Sequence, residues 1–469
     1  MPLEAPRKIW FMLSVVACLL GMASKETMVS APLIVLLYDR CFLADSFREA
    51  WRRRRPLYLG LAGTWLLLAV LVTIAGGRGH TAGFGAGMDW RAYALTQCRA
   101  LLLYLKLSVW PHPLVLDYGD SVVTNAATVL PHALVLAVLA AGTLAALRSP
   151  RWRGLGFLGS WFFAILAPTS SVVPVATQTM AEHRMYLPLA AVITLAGLGL
   201  HVLAGRRGLM VAAALAVVFG ALTVRRNEDY RSALSIWTDT AAKCPGNTRA
   251  HGALGDALLR EGRAAEAIPH YEQALRLKPD YAEVHGSLGN ALAQVGRLDE
   301  ATVQFAEVTR LVPTDARART NLGNALLQVG RLAEAIQQQR EAVRLAPALA
   351  ETQFNLANSL VQTGALADAI AGYREALRLN PNFIEARFNL GNTLATTGRL
   401  DEAIVEFRGV LQRDPTLVAA WCNLGHALAQ SGRTAEAAAS FEEALRRSPG
   451  SAEARKGLAR LHAGSSTEK

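Results

Sequence analysis

Cysteine is scarce and scattered in this chain: five in 469 residues, at positions 18, 41, 98, 244 and 422, with no CxxC pair and no His/Cys cluster. That spacing excludes a disulfide framework and the common zinc sites. A basic soluble face is also lacking. Residues 227–469 carry 27 Lys/Arg against 28 Asp/Glu, and binding to nucleic acid needs clustered positive charge, so no nucleic-acid partner is expected. The first apolar run, from Ile9, leads into MASKE without a small-residue cleavage site followed by a polar mature chain; no cleavable signal peptide is read there. Asp117 and Asp120 are the nearest approach to a metal pair, but two carboxylates in a loop more often cap a helix or face water, and no metal site is assigned.

The first half holds what the second lacks. Residues 1–226 carry 21 Lys/Arg against 9 Asp/Glu, and the excess falls in short blocks between apolar runs. Runs at 57–75, 125–147, 186–203 and 209–224, with a shorter one at 155–169, are of bilayer-spanning length or close to it. Residues 9–23 and 27–38 are divided by Ser24-Lys25-Glu26. Burying Lys25 and Glu26 in hydrocarbon is costly, so a hairpin with a charged turn is expected. The arginine blocks at 48–55, 148–153 and 205–207 belong on the cytoplasmic side by the positive-inside rule. The expected topology is about seven spans with the N-terminus inside. It puts 24–26, 76–91 and 170–185 on the outer face, with residues 92–123 lying at the interface rather than crossing.

Prolines at 245, 279, 313, 347, 381, 415 and 449 keep a period of 34 residues, and six units run from Thr248 to Ser451. Position 8 is Gly or, at 357, Ala. Position 20 is always Ala, position 24 is aromatic except at Gln339, and position 27 is Ala or Val. This resembles the tetratricopeptide repeat, two antiparallel helices per unit. A small residue at 8 lets the helices approach, the residue at 24 fills the gap, and proline stops the second helix. Asparagine adds a pattern that packing does not demand: Asn321, Asn355, Asn389 and Asn423 at position 6, and Asn290, Asn324, Asn358 and Asn392 at position 9. The two positions are one turn apart, and Asn is a poor helix former. The functional reading is a groove whose amides bind an extended polypeptide backbone; the alternative is hydrogen bonding between repeats or simple duplication. The array resembles the asparagine-lined superhelix of the O-GlcNAc transferases.

The expected fold is all-α: a polytopic membrane domain (1–226), a junction with a half-repeat (227–247), six repeats (248–451), and a capping helix with a polar tail (452–469). Four pieces in order, SKE after an apolar run, YLKLSVWPHPLVLDYG at 104–119, AEHRMYLP at 181–188 and the Arg/Trp-bearing junction, resemble the transmembrane and tetratricopeptide-repeat (TMTC-like) O-mannosyltransferases and their bacterial relatives. The resemblance implies a C-type glycosyltransferase with a polyprenyl-phosphate sugar as donor. It implies lipid-phosphate or sugar contacts from Lys25, Glu26, Glu182, His183 and Arg184, although charges that merely mark a membrane interface explain them equally well. It also places the repeats on the non-cytoplasmic side, in the periplasm or, in a eukaryote, the endoplasmic reticulum lumen. The acidic loop that such enzymes carry after their first span has no counterpart here, so an N-terminally truncated relative is expected and no catalytic residue is assigned. The expected partners are membrane lipid and a polypeptide in the groove; a non-catalytic membrane scaffold is the alternative function.

Overall fold

The computed structural model describes residues 4–24, 26–74, 89–111, 114–119, 122–123, 125–170 and 185–467, and all of their regular structure is helical. The chain divides into two compact units, residues 1–257 and 258–469.

In the first unit, α1 (Glu4–Ser24) and α2 (Ala31–Phe42) are separated by a short 3-10 turn, Glu26–Ser30, and both pack on α3 (Phe47–Ile74). The break falls where the charged triplet predicts it. Helix α3 is kinked at Arg54 (φ −134°, ψ 23°), two residues before Pro56. Proline has no N–H for the preceding turn and its ring crowds it. The kink lets Arg54 pair with buried Asp39 of α2 at 2.9 Å, and the Tyr58 hydroxyl donates to the other Asp39 oxygen. Helix α4 (Trp90–Val109) starts at an Asp89 cap and buries Tyr93, Ala100 and Tyr104 along one stripe. It stops well short of residue 123, because the chain from Trp110 to Gly119 is not helical.

Helices α5 (Ala126–Arg148) and α6 (Arg153–Ser170) pack together, and α6 also packs on α7 (Tyr186–Asp229). Two expected spans merge in α7, but Gly205 breaks it with φ +54°. A Cβ at Gly208 would collide with the Leu200 carbonyl, so the chain bends sharply at the GRR block. By length and composition, two helices can cross a membrane, Ala126–Arg148 and Leu187–Asp229. Their apolar side chains lie mostly outside: Val138 is 69% and Leu203 86% exposed.

The six repeats follow α8 (Ala233–Lys243). Their helix pairs are α9 (Thr248–Arg260) with α10 (Ala264–Leu277), α11 (Ala282–Gln294) with α12 (Leu298–Leu311), and α13 (Ala316–Gln328) with α14 (Leu332–Leu345). Then come α15 (Ala350–Gln362) with α16 (Leu366–Leu379), α17 (Ile384–Thr396) with α18 (Leu400–Arg413), and α19 (Val418–Gln430) with α20 (Thr434–Arg447). A last helix, α21 (Ala452–Thr467), packs on α19 and α20.

The alanines at position 20 and the residues at 24 and 27 are buried in every repeat. The glycine at position 8 is required by the residue at 24: a Cβ at Gly289, Gly391 or Gly425 would lie 2.7–2.8 Å from Phe305, Phe407 or Phe441. In the fourth repeat the deficit is transferred. Ala357 occupies position 8, and its helix partner carries Gly372, where a Cβ would come within 3.1 Å of Ala357.

The two helices of each repeat are joined by glycine at position 15, from Gly262 to Gly432, with φ between +75° and +81°, a conformation that β-carbons disfavour. The entry to each first helix is also tied down. The position-4 side chains His251, His285, Arg319, Arg387 and Trp421 bond the carbonyl of the proline six residues earlier at 2.9–3.3 Å.

Candidate functional site: an asparagine-lined groove

The first helices of repeats three to five, α13, α15 and α17, line a cavity of about 580 Å³ in the second unit. Five of the eight asparagines face it: Asn324, Asn355, Asn358, Asn389 and Asn392. Asn423 joins the row through Asn392, while Asn290 and Asn321 are exposed and lie outside this cavity. No lining side chain is charged; Leu327, Val361, Gln328, Gln362, Tyr373 and Thr393 complete it.

The amides are bonded to one another across repeats. Asn389 Nδ2 donates to Asn358 Oδ1 at 3.0 Å, and Asn423 Nδ2 repeats this on Asn392 Oδ1 at 2.7 Å. The Tyr373 hydroxyl also donates to Asn358 Oδ1, at 2.6 Å. Burial pushes the Tyr373 phenol up to about 12, so it remains a neutral donor at ordinary pH. Inter-repeat bonding, the alternative reading of the ladder, is therefore real here, and it sets what the amides present. With Oδ1 of Asn358 and Asn392 occupied, each keeps its N–H donors for a guest, while Asn389 and Asn423 keep their carbonyl oxygens. A polypeptide backbone offers the complementary acceptors and donors.

The third rung is built differently. Asn324 Oδ1 accepts from Gln339 Nε2 at 3.1 Å, and Asn355 Nδ2 bonds the Glu351 carbonyl of its own helix at 2.7 Å. Gln339 replaces the aromatic of position 24 and is fully buried, with its oxygen accepting from Ser359 Oγ. A buried amide costs stability unless its polar atoms are bonded; these two partners satisfy it. The departure of Gln339 from the aromatic pattern is visible in the sequence, but its partners are not.

The motif pieces of the first half have separate fates. Lys25, Glu182, His183 and Arg184 lie outside the described residues, and Glu26 is described only as the start of the 3-10 turn. Asp120 is also outside them. Asp117 is buried, and its carboxylate accepts from Arg249 at 2.8 Å and from the Gly119 N–H at 2.9 Å. Its carbonyl accepts from Asn247 Nδ2 at 2.8 Å, while Asn247 Oδ1 caps α9 through the Ala250 N–H. Lys243 Nζ donates to the Leu114 carbonyl at 3.1 Å.

Residues 114–119 thus form a strap fastened to the start of the first repeat, which explains why that start falls in the first unit. Beside it, Asp239 receives hydrogen bonds from Lys243 and Arg226. Burial alone would raise its pKa, but those bonds outweigh it and hold the carboxyl below the usual aspartate range.

Family models agree with the repeat geometry. Models described as tetratricopeptide repeats match residues 221–282, 258–320, 316–349, 384–417 and 422–466, and one described as TPR repeat matches 357–398. The C-terminal half is a tetratricopeptide repeat array. Among solved structures, YrrB, described as "a TPR protein with an unusual peptide-binding site", is 26% identical; the match covers 42% of this chain and 97% of that one, with a TM-score of 0.35. PilF of Pseudomonas aeruginosa is 22% identical over 45% of this chain and 97% of its own, at 0.40. PilW, described as a widely conserved type IV pilus biogenesis factor, is 20% identical over 45% and 98%, at 0.42. No curated protein matches the chain.

Proposed function

We propose that this protein is a membrane-anchored receptor for extended polypeptide, with the asparagine groove of repeats three to six as its binding surface. The observation that carries the reading is the pairing of Asn389 with Asn358 and of Asn423 with Asn392. It leaves free donors and acceptors side by side in a groove with no lining charge, which suits backbone recognition that tolerates many side chains. YrrB, with its peptide-binding site, supplies the precedent within tetratricopeptide proteins. The anchor rests on two long apolar helices whose leucines and valines stay exposed, a surface that hydrocarbon accepts and water does not. The repeats then belong on the non-cytoplasmic side, as the arginine blocks predict.

A displayed library of short unstructured peptides, selected on the full-length protein in detergent, tests the groove. Peptides so enriched lose about tenfold or more in affinity for N358A/N392A, because each lost hydrogen bond contributes roughly 0.5–1.5 kcal/mol, and the variant's melting temperature stays close to the parent's. Equal affinity for both proteins refutes the groove. The same peptides separate the two roles such a groove can have. Transfer of sugar to them from a polyprenyl-phosphate donor marks an acceptor-presenting module of the glycosyltransferase the motifs resemble, and binding without transfer marks a scaffold.

A further inference from the structure

A second cavity, in the first unit, has no place in the peptide reading. Its volume is about 630 Å³, and Trp10, Phe11, Tyr38, Phe157 and Trp161 supply aromatic walls between α1, α2 and α6. The rings are packed on one another: Tyr38 lies 5.8 Å and Phe42 5.3 Å from Phe157. Trp10 and Tyr38, at the rim, are themselves exposed. At one end stands the Asp39–Arg54 pair, and beyond it Asp39, Arg53 and Arg54 line a smaller space of about 360 Å³. An apolar chamber and an arginine-lined chamber therefore share one wall.

The surroundings of that wall carry a surplus of donors. Segments 39–55 and 148–153 hold nine arginines against three carboxylates. Two of these arginines have buried nitrogens without a hydrogen-bond partner, Arg40 Nη1 and Arg153 Nε. Both lie at the same end of the helix group: Arg153 is one turn before Phe157 in α6, Gly154 is 4.0 Å from Phe42, and Arg40 is next to Asp39. An unpartnered guanidinium nitrogen is costly in a folded protein. The ligand that satisfies it best is a phosphate, whose oxygens match the planar fork of arginine.

We propose that this end of the first unit binds one anionic phospholipid, its phosphate among Arg40, Arg54 and Arg153 and its chain in the aromatic cavity. The adjoining cavity selects a lipid over a soluble phosphate, and the arginine excess selects an anionic over a zwitterionic headgroup. This inference rests on the membrane reading above, though not on the peptide groove.

The test uses full-length protein in a neutral detergent, titrated with short-chain phosphatidylglycerol, phosphatidylcholine of the same chain length, and inorganic phosphate, with binding followed by microscale thermophoresis. Phosphatidylglycerol binds at least tenfold more tightly than phosphatidylcholine, and inorganic phosphate does not bind at the same concentrations. In R40Q/R153Q that preference falls about tenfold with little change in melting temperature, since neither buried nitrogen has a protein partner to lose. W161A weakens both lipids alike and keeps the preference. No preference in the parent, an undiminished preference in R40Q/R153Q, or phosphate binding as tight as that of lipid overturns the site. Carbonate extraction of the expressed protein keeps the two readings apart. Retention in the membrane fraction without lipid preference refutes this inference alone, and release by carbonate refutes the membrane reading and this one with it.

Discussion

Along α17 the leucines at 390 and 394 are almost wholly withdrawn from the surface, whereas along α5 Leu130 and Leu134 are each 58% exposed. Both helices are regular, and both are rich in small and branched apolar residues. They differ in where the polar residues fall. In α17 these lie on the faces away from Leu390, so one stripe can be buried against the partner helix and the next repeat. In α5 no charged residue occurs before Arg148, so no face is marked for water. A helix that is apolar all round is buried in a large core or in lipid, and α5 is not buried in protein. The contrast teaches that apolar content alone says little, whereas the placement of polar residues around the helix separates a repeat that buries its stripe from a segment that needs a different solvent.

The largest effect that sharpens this contrast comes from truncating equivalent leucines. Leu390→Ala empties a filled core site and costs about 2–5 kcal/mol, whereas Leu134→Ala costs less than about 0.5 kcal/mol, as expected for an exposed site; urea denaturation of the purified protein measures both. A comparable loss at the two positions would erase the distinction. Next comes Val138→Arg in mid-α5. It disfavours membrane insertion by roughly 2.5–3.5 kcal/mol if lipid surrounds the helix, seen as protein missing from the membrane fraction; full retention would break the comparison from the other side. The smallest effect is expected inside the array. Gln339→Phe restores the aromatic of position 24 against Gly323, and Ser359 keeps its bond to the Asn355 carbonyl. Stability should shift by no more than about 1.5 kcal/mol, and a larger loss would show that the buried amide network is structural.

Much of the repeat half was legible because its rules are local and repeated. Proline, glycine at position 8, alanine at 20 and the residue at 24 recur every 34 residues, and each meets its expected partner within one repeat. The glycines at position 15 recur as plainly and specify the inter-helix turn. The asparagine ladder was visible as a pattern, but which amide bonds which was not. Asn389 and Asn358 are 31 residues apart, and only the stacking of neighbouring repeats brings them to 3.0 Å. The uneven rung at Asn324 and Asn355 escaped for the same reason, since it depends on Gln339 and Ser359 meeting beneath the groove.

In the first half the sequence marked helices and their ends, with breaks at 24–26 and at Gly205 where charge or glycine interrupts the apolar runs. It could not join Asp117 to Arg249, which are 132 residues apart, nor set Arg54 against Asp39 across a proline kink. Periodicity is written in the chain because a helix reads its neighbours three and four residues away. Buried ion pairs, the strap and the open edges of the amides are settled only when distant segments compete for the same hydrogen-bond partners, and tertiary structure alone decides which of them meet.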